Sequence, residues 1–278
     1  MTPPPRSWLF VPADSEKKIA KALASAADAV ILDLEDSVAA ARKRQAREIV
    51  AAALAETGIG PERWVRINPL DSGLIEDDLA VVAALPIAGV VLPKAESGAD
   101  VARLAAMLGG ALRIHAVATE TAGSLFGLGS YSAAPRLAAM SWGAEDLSAA
   151  LGASSKYDAN GALSFTYRMA RSLCLAGAAA AGVQPVDGVF ADFRDADGLR
   201  AEAVAARSEG FTGKLAIHPD QIASINAAFT PSDAEVAAAE AIVQLFAASP
   251  DAGTLALDGR MLDRPHLLQA ERLLARRR

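Results

Sequence analysis

Apolar runs in this chain keep finishing on a polar or charged side chain. Ala29–Leu32 runs into Asp33-Leu34-Glu35-Asp36, and Trp64–Ile67 carries Arg66 and stops at Asn68. Val90–Leu92 stops at Pro93-Lys94, Ile114–Ala118 at Thr119-Glu120, and Leu137–Trp142 at Gly143-Ala144-Glu145-Asp146. A buried strand has no intrinsic reason to carry its charge at one end, and at the same end each time. Parallel strands that gather their chemistry where their carboxyl ends meet do have such a reason.

Strand-like runs alternate with helix-like stretches eight times. Strands are expected at Trp8–Val11, Ala29–Asp33, Trp64–Ile67, Gly89–Leu92, Arg113–Ala118, Leu137–Trp142, Asp187–Phe190 and Lys214–Ile217. Helices are expected near Glu16–Ala26, Val38–Leu54, Ile75–Ala84, Gly98–Leu108, Leu163–Ala181, Ala196–Ser208 and from Pro219 onward. Alternation of this kind implies βαβ units and a parallel sheet, and near-continuous apolar strands imply that both faces are covered. Eight units close most simply into an α/β fold of (β/α)8 type, a TIM barrel, over residues 1–228. An open doubly wound sheet is the alternative, but no glycine-rich phosphate turn follows the first strand. Residues 229–278 read as a C-terminal helical extension. Ser232-Asp233-Ala234-Glu235 is a capping box that opens a helix to about Ala248. Ser249–Gly253 reads as a hinge before a last basic helix ending in Arg276-Arg277-Arg278, whose cations suit the helix dipole.

Composition sets outer limits. The chain has 278 residues, is 52% hydrophobic and carries a net charge of −6. That is ample for a barrel core, and the acidic balance disfavours nucleic acid as a partner. Cys174 is the single cysteine, so no internal disulfide forms and a reducing cytoplasmic setting is expected. Met1–Arg6 has no apolar segment of signal-peptide type, and no apolar run approaches the ~18 residues of a membrane span.

Glu120 and Asp146 each follow an apolar strand. Two carboxylates at one mouth repel unless a cation lies between them, and a hard divalent ion held by one or two carboxylates is the usual magnesium arrangement. A helix cap for Asp146 and a salt bridge for Glu120 explain the same positions, and spacing alone leaves both readings open. Asp33 and Glu35 alternate with Leu34 and could share one face; Asp36 or Ser37 could instead cap the next helix. Arg66 is placed to grip a carboxylate or to pair with these acids. Lys94 invites a Schiff-base reading, which ranks below pairing with an acid or a ligand phosphate because the acid pair already supplies a metal alternative. His218 is expected to be a hydrogen-bonded strand-end residue, His115 and His266 have no assigned role, and Cys174 reads as a buried small hydrophobe.

Taken together, these motifs resemble the family of the citrate lyase beta subunit, malyl-CoA lyase and citramalyl-CoA lyase, within the HpcH/HpaI aldolase superfamily. The resemblance rests on Arg6–Pro12, Val30–Val38 (VILDLEDSV), Val65–Asn68, Leu92–Glu96 (LPKAE), Glu120-Thr121, Gly143–Gly152 (GAEDLSAALG), Asp187–Phe190, Gly210–Lys214 (GFTGK), Ile217-His218-Pro219 and Met261–Pro265 (MLDRP). It implies a barrel that assembles as a homotrimer or a multiple of it. It implies Mg2+ on Glu120 and Asp146, substrate binding by Arg66, Glu120 and Lys94, and contacts from Glu35 and Asp36 to metal-bound water. It also implies that Asp263, reaching a neighbouring subunit on the extension, handles the acetyl-CoA methyl proton; capping of the last helix is the other reading of Asp263. Ala13, where many members have glycine, departs from the pattern. The implied activity is Mg2+-dependent cleavage of a short carboxylated 3-hydroxyacyl-CoA to acetyl-CoA and a 2-oxo acid. Alternatives are the beta subunit of a citrate lyase complex acting on an acyl-carrier-protein thioester, and a non-catalytic scaffold.

Overall fold

The structure, a computed structural model, describes residues 3–277. The expectations for Met1-Thr2 and for Arg278 therefore lie outside the described residues. In chain order the elements are β1 (Ser7–Pro12), α1 (Glu16–Leu23), β2 (Ala29–Asp33), α2 (Lys43–Ala53), β3 (Glu62–Arg66), α3 (Ile75–Val82), β4 (Gly89–Leu92) and α4 (Gly98–Leu108). There follow β5 (Arg113–Val117), a short α5 (Ser124–Gly127), β6 (Leu137–Ser141), α6 (Ala144–Ala150), α7 (Phe165–Ala181), β7 (Gln184–Asp187), α8 (Ala196–Glu209), β8 (Gly213–Ala216) and α9 (Ile222–Phe229). Beyond the barrel lie α10 (Asp233–Ala247), a hairpin of β9 (Thr254–Leu257) and β10 (Arg260–Asp263), and α11 (Arg264–Leu274).

Strands β1 to β8 form a closed barrel, each parallel to its neighbours, and β8 returns to β1 with Ser7 opposite Lys214. The two-residue period of the strands sorts the core into two layers. Trp8, Ile31, Trp64, Val91, Val117, Ala139, Val186 and Leu215, drawn from all eight strands, fill the lumen. Residues out of phase with them, such as Leu9, Val30, Val65, Val90, Met140 and Ala216, pack outward against the helices. His115 lies in phase with Val117 and is fully buried; its ring meets Trp8 edge-on at 4.8 Å and its Nε2 lies 2.9 Å from Ser141 Oγ. Phase also settles where the polar strand ends point. Asp33 continues the lumen face of β2 and Arg66 that of β3, so both emerge on top of the plug. Asp187 and Lys214 are out of phase and point outward.

The expected architecture is observed, with local corrections. The seventh strand is Gln184–Asp187, three residues earlier than expected, because Pro185 sits inside it and the chain leaves the sheet at Asp187-Gly188. The helix expected from Val38 starts as a single 3-10 turn at Ala40–Arg42, and neither Asp36 nor Ser37 caps it; its N-cap is Ala39. The segment expected to be a hinge leads into the antiparallel β9–β10 hairpin. The Ser232–Glu235 capping box is present, with Ser232 N–H donating to Glu235 Oε2 at 2.8 Å. Glu235 also pairs with Arg207 of α8 at 2.7 Å, which ties the extension to the barrel. No helix among the described residues is long and apolar enough to cross a membrane.

Candidate active site

The register that sets Asp33 opposite Arg66 brings the pair together at the barrel mouth. Arg66 Nε and Nη2 each donate to one Asp33 oxygen at 2.7 Å, a bidentate fork. Asp33 also accepts the backbone N–H groups of Glu35 at 2.8 Å and Ser37 at 3.1 Å, which folds the acidic segment into a tight turn. Burial alone would raise the Asp33 pKa; the Arg66 fork and these N–H donors hold it below the ordinary carboxylate value. Arg66 Nη1 lies 2.8 Å from Glu35 Oε2, a charge contact off the hydrogen-bond axis, and the guanidinium carbon sits 4.9 Å from the centre of the Phe10 ring. Burial pushes the Glu35 carboxyl upward, against the pull of Arg66 and Lys94.

Lys94 follows β4 in a left-handed backbone conformation, φ +53°. This turn gives one residue two contacts with the acids. Its N–H donates to Glu120 Oε2 at 2.6 Å. Its ammonium pairs with Glu35, with Asp36 at 3.2 Å and with Asp146 at 3.1 Å. Partial burial disfavours the ammonium, but the hydrogen bond to Glu35 and the charges of Glu35, Asp146 and Glu120 outweigh it and raise the Lys94 pKa.

Glu120 is 4% exposed. Burial pushes its pKa up to about 8; the Lys94 N–H opposes this and the Asp146 charge adds to it. The turn after β6 must be glycine here, because a Cβ on Gly143 would stand 2.7 Å from Glu120 Cγ. Gly143 N–H is held by Thr119 Oγ1 at 3.2 Å, and Asp146 then faces the mouth from the first turn of α6. Four of these groups, Asp33, Arg66, Glu120 and Asp146, open on a cavity of about 320 Å3. Asp33, Arg66, Glu120 and Asp146 form its polar side; Phe10, Val117, Trp142, Val189 and Leu215 form its apolar side.

The structure thus brings Glu35, Asp36, Arg66, Lys94, Glu120 and Asp146 together at one mouth. It does not bring Asp263 there within the same chain. Asp263 ends β10, stands at the N-cap of α11, and has its Oδ1 2.5 Å from His266 Nδ1. His218 accepts the Asp220 N–H and stacks on Phe193 at 4.6 Å, as a strand-end residue should. Cys174 is buried, which pushes its thiol up to about 12.

Sequence reasoning missed several contributors. Lys156 lines the cavity from the loop before α7, paired with Glu145; a lone lysine in a polar loop carries no signal. Trp142 lines the apolar side, and its Nε1 donates to Asp187 at 2.8 Å. Asp187 also accepts from Arg171 at 2.8 Å and from the fully buried Lys214 at 2.9 Å, and Lys214 donates to the Gly188 carbonyl at 2.8 Å. This outward-facing cluster braces the Trp142–Gly188 wall from behind. A lysine within an apolar eighth strand and an aspartate beside it were the available signal.

A closed parallel barrel with an ion-paired acid cluster and a cavity at its carboxyl mouth has the layout of a barrel enzyme, and the family it falls in makes it a carbon–carbon lyase. The chain belongs to the HpcH/HpaI aldolase/citrate lyase family, whose model matches residues 6–219. It is 42% identical over 270 residues to the citrate lyase subunit beta-like protein of Mycobacterium tuberculosis, covering 97% of this chain and 94% of that one. It is 36% identical over 276 residues to the (3S)-malyl-CoA thioesterase of Cereibacter sphaeroides, covering 98% and 94%. The crystal structure of protein CitE from Mycobacterium tuberculosis in complex with magnesium, acetoacetate and coenzyme A superposes with a TM-score of 0.82 at 39% identity, over 99% of this chain and 98% of that one.

Proposed function

We propose that this chain is a Mg2+-dependent lyase that splits a short carboxylated 3-hydroxyacyl-CoA, of malyl, citramalyl or citryl type, into acetyl-CoA and a 2-oxo acid, reversibly. The observation that carries the reading is the convergence of Glu120, Asp146 and Arg66 on one mouth cavity. The donor set suits magnesium. Among the described residues no cluster of three or more acidic, histidine or cysteine side chains is arranged around a metal position. An ion between Glu120 and Asp146 would draw its remaining ligands from water and substrate, as Mg2+ does. When bound there, Mg2+ supplies Lewis-acid polarisation of the substrate oxygens.

The chain's own residues account for the rest. Arg66, forked on Asp33 and with Nη1 against Glu35, lines the cavity as a fixed positive pole for a substrate carboxylate or a developing oxyanion. Glu35 and Asp36 stand beside the metal position, where both pair with the Lys94 ammonium. Val117, Trp142 and Leu215 keep water from one side of the cavity. Asp263 acts in trans: the extension, residues 229–278, carries it to a neighbouring subunit of a homotrimer or its multiple, where it protonates the enolate carbon of the departing acetyl unit.

The test is a screen of malyl-, citramalyl- and citryl-CoA with and without Mg2+, reading acetyl-CoA and oxo acid separately. Equal, chelator-sensitive release of both from one thioester supports the reading. Free CoA without oxo acid would identify a thioesterase, as in the Cereibacter relative's name. Cleavage seen only on an acyl-carrier-protein thioester would identify a citrate lyase subunit.

A further inference from the structure

Lys94 stands out among the mouth residues on two independent counts. It is one of three non-glycine residues with positive φ among those described, and of these three, the others being Arg136 and Asp258, it is the one that contacts the acid cluster. A left-handed backbone in a lysine is costly and persists where the surroundings impose it, so it is a pointer to function. Its ammonium also touches three acids on two separate loops while its N–H fixes a fourth.

Consider the cluster without Lys94. Glu35, Asp36, Glu120 and Asp146 would face each other with Arg66 as the cation still paired to one of them, and Arg66 is already forked onto Asp33; Lys156 is taken up by Glu145, and Lys43 by backbone carbonyls and Asn68. Four carboxylates so close repel one another until a cation lies among them. Lys94 prevents this by placing one positive charge against Asp146, the same carboxylate a metal would use, 3.1 Å from its Oδ1. Its backbone meanwhile fixes Glu120 from the other side and does not depend on where the side chain goes.

We infer that Lys94 is a built-in counter-ion: its ammonium neutralises part of the acid cluster and occupies Asp146, and it gives up Asp146 when a divalent cation binds. The inference rests on the Mg2+ reading above. Lys94 is therefore a positioning residue for the metal pair. Its side chain competes with Mg2+ for one ligand, and its backbone presets the other.

Two measurements test this, neither of them turnover. The first is calorimetric titration of Mg2+ into metal-stripped protein. Lys94→Met keeps an unbranched side chain, one atom shorter and uncharged, and bears the same backbone cost, so the comparison reads chiefly the charge. It should bind Mg2+ about tenfold more tightly than wild type, the scale expected for removing one nearby positive charge in a partly hydrated site. Lys94→Arg, which keeps the charge, should stay close to wild type. Equal or weaker binding by Lys94→Met overturns the inference and leaves the metal reading standing; a wild type that takes up no Mg2+ defeats that reading and the inference with it. The second measurement needs no substitution and decides alone if Lys94→Met does not fold. Reductive dimethylation of wild type, read by mass spectrometry, should modify Lys94 slowly without metal and several-fold faster in saturating Mg2+. Labelling that Mg2+ leaves unchanged overturns the inference.

Discussion

At the scale of single residues, the mouth works because charges are fixed by neighbours before any ligand arrives. Glu120 is the clearest case: one oxygen is held by the Lys94 N–H, and Gly143 leaves just enough room for its side chain. Glu120→Gln preserves that fit and removes a carboxyl whose charged form burial disfavours. It should therefore melt at or above the wild-type temperature without metal, yet lose Mg2+ binding by calorimetry; unaltered binding would remove Glu120 from the metal site. Lys94 should form no Schiff base, because a paired ammonium with a raised pKa is a poor nucleophile. Borohydride added to enzyme and oxo acid should leave no adduct by mass spectrometry, and a trapped adduct on Lys94 would reverse the assignment. Much of this was legible in the sequence. Arg66, Glu120 and Asp146 stood out because each ends an apolar run. What was not legible was the partner of each charge, since that depends on strand register, and the Asp33–Arg66 fork follows from register alone.

At the scale of elements, local signals located most boundaries. The helix Gly98–Leu108 is observed where expected, begun by Ser97 with Asp100 accepting the Ser97 N–H at 3.0 Å and stopped at the left-handed Gly109. The seventh strand was misplaced because proline argues against a central strand, while the apolar Val189-Phe190 imitates one. The observed strand survives Pro185 because its ends are fastened by Asp187, which joins β7 to Lys214 of β8, to Arg171 of α7 and to Trp142. Burial would raise the Asp187 pKa, but the charges of Lys214 and Arg171 hold it down to about 2. A depressed folded pKa gives stability that is present above the ordinary value of 3.8 and is lost as pH falls toward about 2. Asp187→Asn should thus be destabilised by about 2–3 kcal/mol at neutral pH, where it takes the buried carboxylate away from Lys214 and Arg171 and leaves each with a single, more exposed acid, Glu202 and Glu209 respectively. The gap to wild type should close across that acid window in chemical denaturation; a gap that stays constant with pH would mean that the carboxylate charge contributes nothing.

At the scale of the whole molecule, the eight βα units were legible because the strand–helix alternation is carried by composition alone. The hairpin of the extension was not, since its strands are four residues each and half exposed. That hairpin holds Asp263 away from the cavity of its own chain, which makes sharing between subunits directly testable. Arg66→Ala and Asp263→Asn, each inactive alone, should recover part of the activity when mixed under conditions that exchange subunits. No recovery despite verified exchange would confine Asp263 to its own subunit or to capping α11. The closure of the barrel has a separate consequence. Ser7, on the first barrel strand, finds its partner Lys214 on the last barrel strand to be made. On the ribosome, Trp8 and Trp64 emerge long before the strand that completes their enclosure, so the growing chain presents one open, apolar sheet edge for most of its synthesis. Ribosome-bound chains stopped before β8 should be protease-sensitive and prone to clump, and release of the full chain should coincide with a single late gain of protection.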